Sequence, residues 1–179
     1  MVINIKLDYY IFIEELNEKI IKNIINLKKQ KLRIYIVILE KNFFLISKFA
    51  KKEKIPFFLT DNIKYALKNK AYGIFLTSKY KNLKNDIKKT TKLEVIGSAH
   101  NQYEYFLKKK QNCELIMLSP IFYNKKYSPN QILGITKFNL ITLNWKTNIC
   151  ALGGILSKNI SLINLTKAKS VGIKSMITK

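Results

Sequence analysis

Short apolar runs alternate with longer, lysine-rich amphipathic stretches along the whole of this chain, and that alternation limits its fold more than any single motif. Each run has the length of a buried strand, and the stretches between them space their apolar residues as helices do. Strands are expected at residues 9–13, 33–39, 55–59, 72–76, 93–97, 115–118, 149–152 and 171–176. Helices are expected at 17–30, 43–52, 62–70, 102–111, 136–145 and 160–169, with only a weak lysine-rich connection after the fourth strand. In residues 17–30 the apolar face is Ile20, Ile21, Ile24, Ile25 and Leu27, at helical spacing. Strands that alternate with helices pair in parallel, because each helix carries the chain back to the starting edge.

Eight such units point to an α/β fold of one domain spanning residues 1–179: a compact (β/α)8 TIM-type barrel. At about 22 residues per unit it is a compressed one, since such barrels typically run to about 250 residues. The sequence ends at Lys179, just after the eighth strand, so the barrel is expected to lack its last helix. A doubly wound open sheet is the competing arrangement, because periodicity cannot show closure.

The formal net charge is +22, which raises the question of nucleic acid. Arg33 is the only arginine, so 32 of the 33 basic residues are lysine, and the side chain that most often reads guanine is almost missing. The lysines spread over every expected helix rather than forming one stripe, which favours solvated helix faces over a nucleic-acid partner. No apolar run approaches the roughly 18 residues of a membrane span, and the N-terminus lacks a secretion signal, so a cytoplasmic chain with no membrane partner is expected. Cys113 and Cys150 lie on or beside buried strands and have no metal-binding spacing. Whether identical chains assemble is left open.

The chemistry-bearing residues gather at strand ends. Ser98-Ala99-His100-Asn101 closes the fifth run, and His100 is the only histidine. The sixth run leads into Ser119-Pro120-Ile121-Phe122, and the seventh into Gly153-Gly154-Ile155. In parallel α/β folds ligands bind at that edge of the sheet. A hydroxyl, an imidazole and a glycine pair at successive strand ends therefore suggest a small-molecule active site. Helix capping by Ser98 or Asn101 is the plainer explanation of the first of them. The polar loop 123–131 carries Asn124, Lys125 and Lys126, suited to meeting a phosphate.

The order of these pieces resembles the thiamine-phosphate synthase and thiazole tautomerase family, over residues 9–178. Within 116–155, Ser119-Pro120-Ile121-Phe122 is similar to the family's Gly-Pro-Ile-Phe. Leu133-Gly134 matches its Leu-Gly, and Leu152-Gly153-Gly154-Ile155 its Ile-Gly-Gly-Ile, without gaps. Ser98-Ala99-His100 fits its Ser-x-His. Val37-Ile38-Leu39-Glu40-Lys41 is similar to Gln-x-Arg-Glu-Lys but keeps only Glu40 and Lys41. Thr60-Asp61 stands for Asn-Asp, and Tyr80 falls where a second aspartate belongs. In the loop similar to Thr-x-Thr-Lys, Asn124 and Lys126 replace the threonines and Tyr127 the lysine.

The resemblance implies an enzyme of thiamine biosynthesis. The synthase joins a pyrimidine pyrophosphate to a thiazole phosphate and releases pyrophosphate with magnesium, so the implied partners are small phosphorylated substrates. It assigns catalytic roles to His100 and Lys41, and Asp61 to magnesium, with Tyr80 in place of the second ligand. Glu40, Thr60, Ser98, Asn124, Lys125, Lys126, Gly153, Gly154 and Ser175 fall to substrate and phosphate. Two alternatives stay open: a thiazole tautomerase using His100 as acid and base, which needs no magnesium pair, and a non-catalytic phosphate-binding relative. If the lysines are solvated faces, DNA binding is weak, unselective and lost steeply as salt rises. A mobility-shift titration across salt checks this, and tight sequence-selective binding at physiological salt would overturn it.

Overall fold

The computed structural model describes residues 7–39, 43–83 and 87–178, apart from the side chains of Ser175 and Thr178. Eight strands pair in sequence order and close into a barrel: β1 (Asp8–Ile13), β2 (Arg33–Ile38), β3 (Phe57–Thr60), β4 (Gly73–Leu76), β5 (Glu94–Ala99), β6 (Leu115–Leu118), β7 (Asn148–Leu152) and β8 (Ser170–Ile173). All the pairings are parallel, and β1 against β8 makes the closing seam, with Asp8 opposite Ser170 and Ile11 opposite Ile173. The open doubly wound sheet is thereby set aside.

Alternation along each strand divides the core in two. One row points into the barrel: Tyr10, Phe12, Val37, Phe58, Phe75, Ile96, Met117 and Cys150 form a continuous interior cluster. Tyr10 stacks on Tyr35 with ring centroids 4.8 Å apart, and Phe12 meets Phe75 edge to face at 5.3 Å. The other row, including Ile11, Ile36, Ile74, Val95 and Val171, points outward beneath the helices. Short strands suffice because most residues on them are buried on one face or the other.

The helices are α1 (Glu18–Lys29), α2 (Phe43–Lys52), α3 (Ile63–Lys68), α4 (Ile87–Thr90), α5 (Gln102–Lys110), α6 (Gly134–Thr142) and α7 (Ser175–Thr178). In α1 the buried residues Ile20, Ile24 and Leu27 share one stripe. Asn17 Oδ1 accepts from Ile20 N at 2.9 Å at its start, and Lys28 and Lys29 face the negative end of its dipole.

Three expectations differ from what is observed. The helix expected at 160–169 is a 3-10 helix over Ile160–Leu165, with Ile160 and Ile163 buried. Apolar residues three apart fit a three-residue turn as well as an α-helix. The eighth strand ends at Ile173 rather than at 176, and the chain turns into the single helical turn α7. A closing element, one turn long, is therefore present where none was expected. It is docked by Ile177, which is buried and whose carbonyl accepts from Asn23 Nδ2 at 2.9 Å.

Burial pushes the thiols of Cys113 and Cys150 up to about 12. A raised value favours the protonated, unreactive form, so the thiolate fraction at pH 8 is on the order of 10⁻⁴. Ellman's reagent at pH 8 should therefore find no reactive thiol in the folded protein and two in denaturant. Fast labelling of the native state would contradict this burial.

Candidate active site

The inward rows run out at the C-terminal rim, where they leave a cleft of about 470 Å³. Its floor is apolar, made by Phe12, Leu39 and Leu152. Its wall on the side of β6 and β7 is polar, with Ser119, Asn124, Lys126 and Tyr127 facing Gly153 and Gly154. Glu14 and Lys174 stand on the side of the seam.

Local geometry explains the glycine pair. Gly153 and Gly154 have φ of +94° and +69°, a region that side chains rarely enter. A Cβ on Gly154 would lie 2.5 Å from the carbonyl oxygens of both Phe122 and Tyr123. The β7 loop is thus pressed against the β6 loop, and Ile121 N and Phe122 N donate to Leu152 O and Gly153 O. Asn159 braces it from behind, donating through Nδ2 to Gly154 O at 3.0 Å and accepting from Leu156 N at 2.8 Å. Consecutive positive-φ glycines let backbone amides come close to an anion.

His100 sits half-buried just beyond β5. Its Nδ1 lies 2.9 Å from Ser119 O, which can only accept, so Nδ1 carries the proton. Ser119 Oγ lies 3.1 Å from the same nitrogen. With the proton of this tautomer on Nδ1, Nε2 is the lone-pair nitrogen. Tyr127 packs beside the imidazole, centroids 5.8 Å apart. The helix cap belongs to Asn101, whose Oδ1 accepts from Glu104 N, while Glu104 Oε2 accepts from His100 N at 2.7 Å. Ser98 is buried on the same inward row as Ile96.

Asp61 follows β3 with φ +52° and turns its carboxylate to the next loop. Oδ1 accepts from Thr77 N at 2.8 Å and Oδ2 from Thr77 Oγ1 at 2.6 Å. Asn62 caps α3, its side chain accepting from Tyr65 N. Thr60 spends its hydroxyl on Ile38 O at 2.8 Å. Tyr80 is half-buried, and burial together with the Asp61 charge raises its phenol. Its carbonyl is held by Lys108 Nζ at 2.9 Å and Gln111 Nε2 at 3.0 Å. Lys108 is fully buried, and burial lowers its ammonium.

Among the described residues no group of three or more His, Cys, Asp or Glu side chains is arranged to hold a metal. Asp61 belongs to no such group and both its oxygens accept from Thr77, so the described residues offer no ready-made magnesium cage.

Of the residues expected to form the site, Asn124, Lys126, Gly153 and Gly154 line one cleft. His100 borders it through Ser119 and Tyr127. Lys125 is exposed and does not line it. Glu40 and Lys41 lie outside the described residues, and Ser175 is described only as the first residue of α7. Sequence reasoning missed Glu14, Thr77 and Lys174. The signal for two of them was parity: Glu14 continues the alternation of Tyr10 and Phe12 one residue past β1, as Lys174 continues that of Gly172 one residue past β8.

A closed, all-parallel eight-stranded barrel with a cleft at the C-terminal rim places this chain among the TIM-type α/β barrels. The fold recurs in solved structures. Thiamine phosphate pyrophosphorylase from Pyrococcus furiosus superposes with a TM-score of 0.73 at 17% identity, covering 96% of this chain and 87% of that one. The 3-keto-L-gulonate-6-phosphate decarboxylase of Vibrio cholerae follows at 0.64 and 9% identity, covering 94% and 88%.

The thiamine monophosphate synthase family model matches residues 39–177, and the chain belongs to that family. The thiamine-phosphate synthase of Flavobacterium psychrophilum is 27% identical over 143 residues, covering 75% of this chain and 68% of its own. That of Prochlorococcus marinus is 28% identical over 131 residues, which are 73% of this chain but only 37% of the longer relative. The expectation of a thiamine-phosphate-synthase-like transferase of thiamine biosynthesis on a TIM-type barrel is met. Among the described residues no helix is long and apolar enough to cross a membrane.

Gly154→Ala combines a left-handed backbone, worth about 1–2 kcal/mol, with an overpacked contact worth about 1–3 kcal/mol. It should destabilise the protein by roughly 2–5 kcal/mol in urea unfolding. An unchanged midpoint would show that the two loops are not in contact.

Proposed function

We propose that the rim cleft carries out the synthase reaction, joining a pyrimidine pyrophosphate to a thiazole phosphate with release of pyrophosphate. The observation that carries this reading is the convergence of Asn124 and Lys126 with Gly153 and Gly154 on one cleft. In this reading the backbone amides of the glycine pair and the Lys126 ammonium bind the thiazole phosphate. Asn124, whose Oδ1 accepts from Lys126 N at 3.1 Å, sets the course of the loop that presents that lysine. Phe12, Leu39 and Leu152 offer apolar faces to the two rings and keep water from the reacting carbon. Ser98, Thr60 and Ser175 complete the proposed set, with Glu40 and Lys41 after β2, while Lys125 adds only exposed positive charge beside the cleft.

The charge that develops on the departing pyrophosphate has to be met by cations and amides. Magnesium typically binds through one or two carboxylates together with substrate phosphates. With no described cluster of three or more such ligands, an ion would arrive with the pyrophosphate as part of the substrate.

A second reading, the thiazole tautomerase, is favoured by one observation: the Ser119 carbonyl fixes the His100 proton on Nδ1 and leaves Nε2 as a base. The two reactions are separated by assaying the purified protein on both substrate sets, with His100→Asn and Lys126→Met alongside. For a synthase, product forms from the two phosphorylated substrates, Lys126→Met raises KM for the thiazole phosphate, and His100→Asn acts only moderately. For a tautomerase, His100→Asn costs about 10² to 10⁴ in rate, the usual cost of losing a positioned acid or base. Equal background rates for all three proteins on both substrate sets would leave only a binding role.

A further inference from the structure

The two charges at the seam have no part in the reading so far. Glu14 directly follows β1 and Lys174 directly follows β8, the pair of strands that closes the barrel. On β1 the inward row is Tyr10 and Phe12, and two residues further it reaches Glu14. On β8, Val171 and Ile173 point outward, so Gly172 and then Lys174 continue the inward row. Both charged side chains therefore stand over the barrel mouth rather than on its flank. They line the same cleft as Lys126, Gly153 and Gly154, and Lys174 Nζ lies 2.6 Å from Glu14 Oε1. The lysine is about one-third exposed and the glutamate about half, so solvent reaches both.

An ion pair so exposed contributes little to stability. Its placement matters more, because it holds a second ammonium at the cleft that Lys126 also lines. We infer that Lys174 is a ligand for the phosphate end of the substrate, completing a two-lysine clamp with Lys126, and that Glu14 holds it in place and competes with the phosphate for it. The inference rests on the reading of the cleft as a phosphate site. A dianionic phosphomonoester offers more acceptor oxygens and more charge than one carboxylate, so it draws the ammonium away from Glu14. Removing the glutamate removes the competitor, and removing the lysine removes the ligand.

The test is calorimetric titration of inorganic phosphate into the wild-type protein, Lys174→Met, Glu14→Gln, the double variant and Lys126→Met, with thermal unfolding of each in phosphate-free buffer. Lys174→Met should weaken phosphate binding about 10-fold or more, the usual scale for a hydrogen bond to a charged group. Glu14→Gln should tighten it severalfold, and that gain should vanish in the double variant. If Lys126→Met weakens binding while Lys174→Met and Glu14→Gln leave it unchanged, the clamp is wrong and the phosphate site stands. If no lysine variant alters binding, the phosphate reading of the cleft fails as well. A purely structural seam pair would lower the melting temperature in both single variants without moving phosphate affinity, which also overturns the inference. Should Lys174→Met not fold, Glu14→Gln decides alone, and unchanged affinity there refutes the competition.

Discussion

Closure of β1 onto β8 is the constraint on which the rest of the molecule depends. Four register pairs, from Asp8–Ser170 to Ile11–Ile173, join the two strands and fix which residues of every strand face the axis. A slip of one residue anywhere in a parallel ladder would exchange the inward and outward rows. With closure in this register, the aromatic side chains of β1, β2, β3 and β4 fill the barrel, and the rows that rise past them reach the rim as Glu14, Leu39 and Lys174. Gly172 belongs to the same accounting. A Cβ there would lie 2.6 Å from Leu152 Cδ1 and 3.0 Å from Phe12 Cε2, so a larger residue would fill the space from which the cleft floor is made.

The strands were legible in the sequence because burial on both faces demands continuous apolar runs, and each of the eight left one. Helix α2 was legible to the residue: its apolar positions repeat at helical spacing and Lys51 and Lys52 close it. The stretch around Ile160–Leu165 was not, since Ile160 and Ile163 satisfy a three-residue turn and an α-helix alike. The end of the eighth strand was not legible either. Whether residues after a strand continue it or turn into a helix depends on what they dock against. Here that is α1, through Ile177 and Asn23.

The candidate site was legible where chemistry and backbone geometry coincide. Gly153 and Gly154 stood out because few residues other than glycine tolerate φ of +94° and +69°. The difference between Lys125 and Lys126 was invisible, since neighbouring side chains of a loop point by its path rather than by any period. Tyr127 N donates to Asn124 O, and Asn124 Oδ1 takes Lys126 N, a local turn that decides which lysine lines the cleft. Asp61 shows the opposite limit. Its type and position suggested a metal ligand, yet its two oxygens meet Thr77, which lies on an adjacent unit sixteen residues away in sequence.

A barrel this compressed has little helix with which to brace its rim, and side-chain bonds to loop backbone take over that work. The residues that do so come from behind the loops they hold. Asn159 grips Gly154 O, Lys108 and Gln111 grip Tyr80 O, and His100 donates to Ser119 O. The Lys108 bond is the costliest to make, because burial disfavours its charge; paired with Tyr80 O and Gln111 Oε1, the ammonium keeps two of its three donors satisfied. Its stem fits only because residue 97 is glycine, where a Cβ would lie 2.8 Å from Lys108 Cδ. A buried cation outside the barrel thus fixes the course of the β4 loop, and that loop brings Thr77 to the Asp61 carboxylate. The carboxylate consequently acts first as a loop anchor in the fold, and any part it takes in binding a pyrophosphate is exercised from that anchored position.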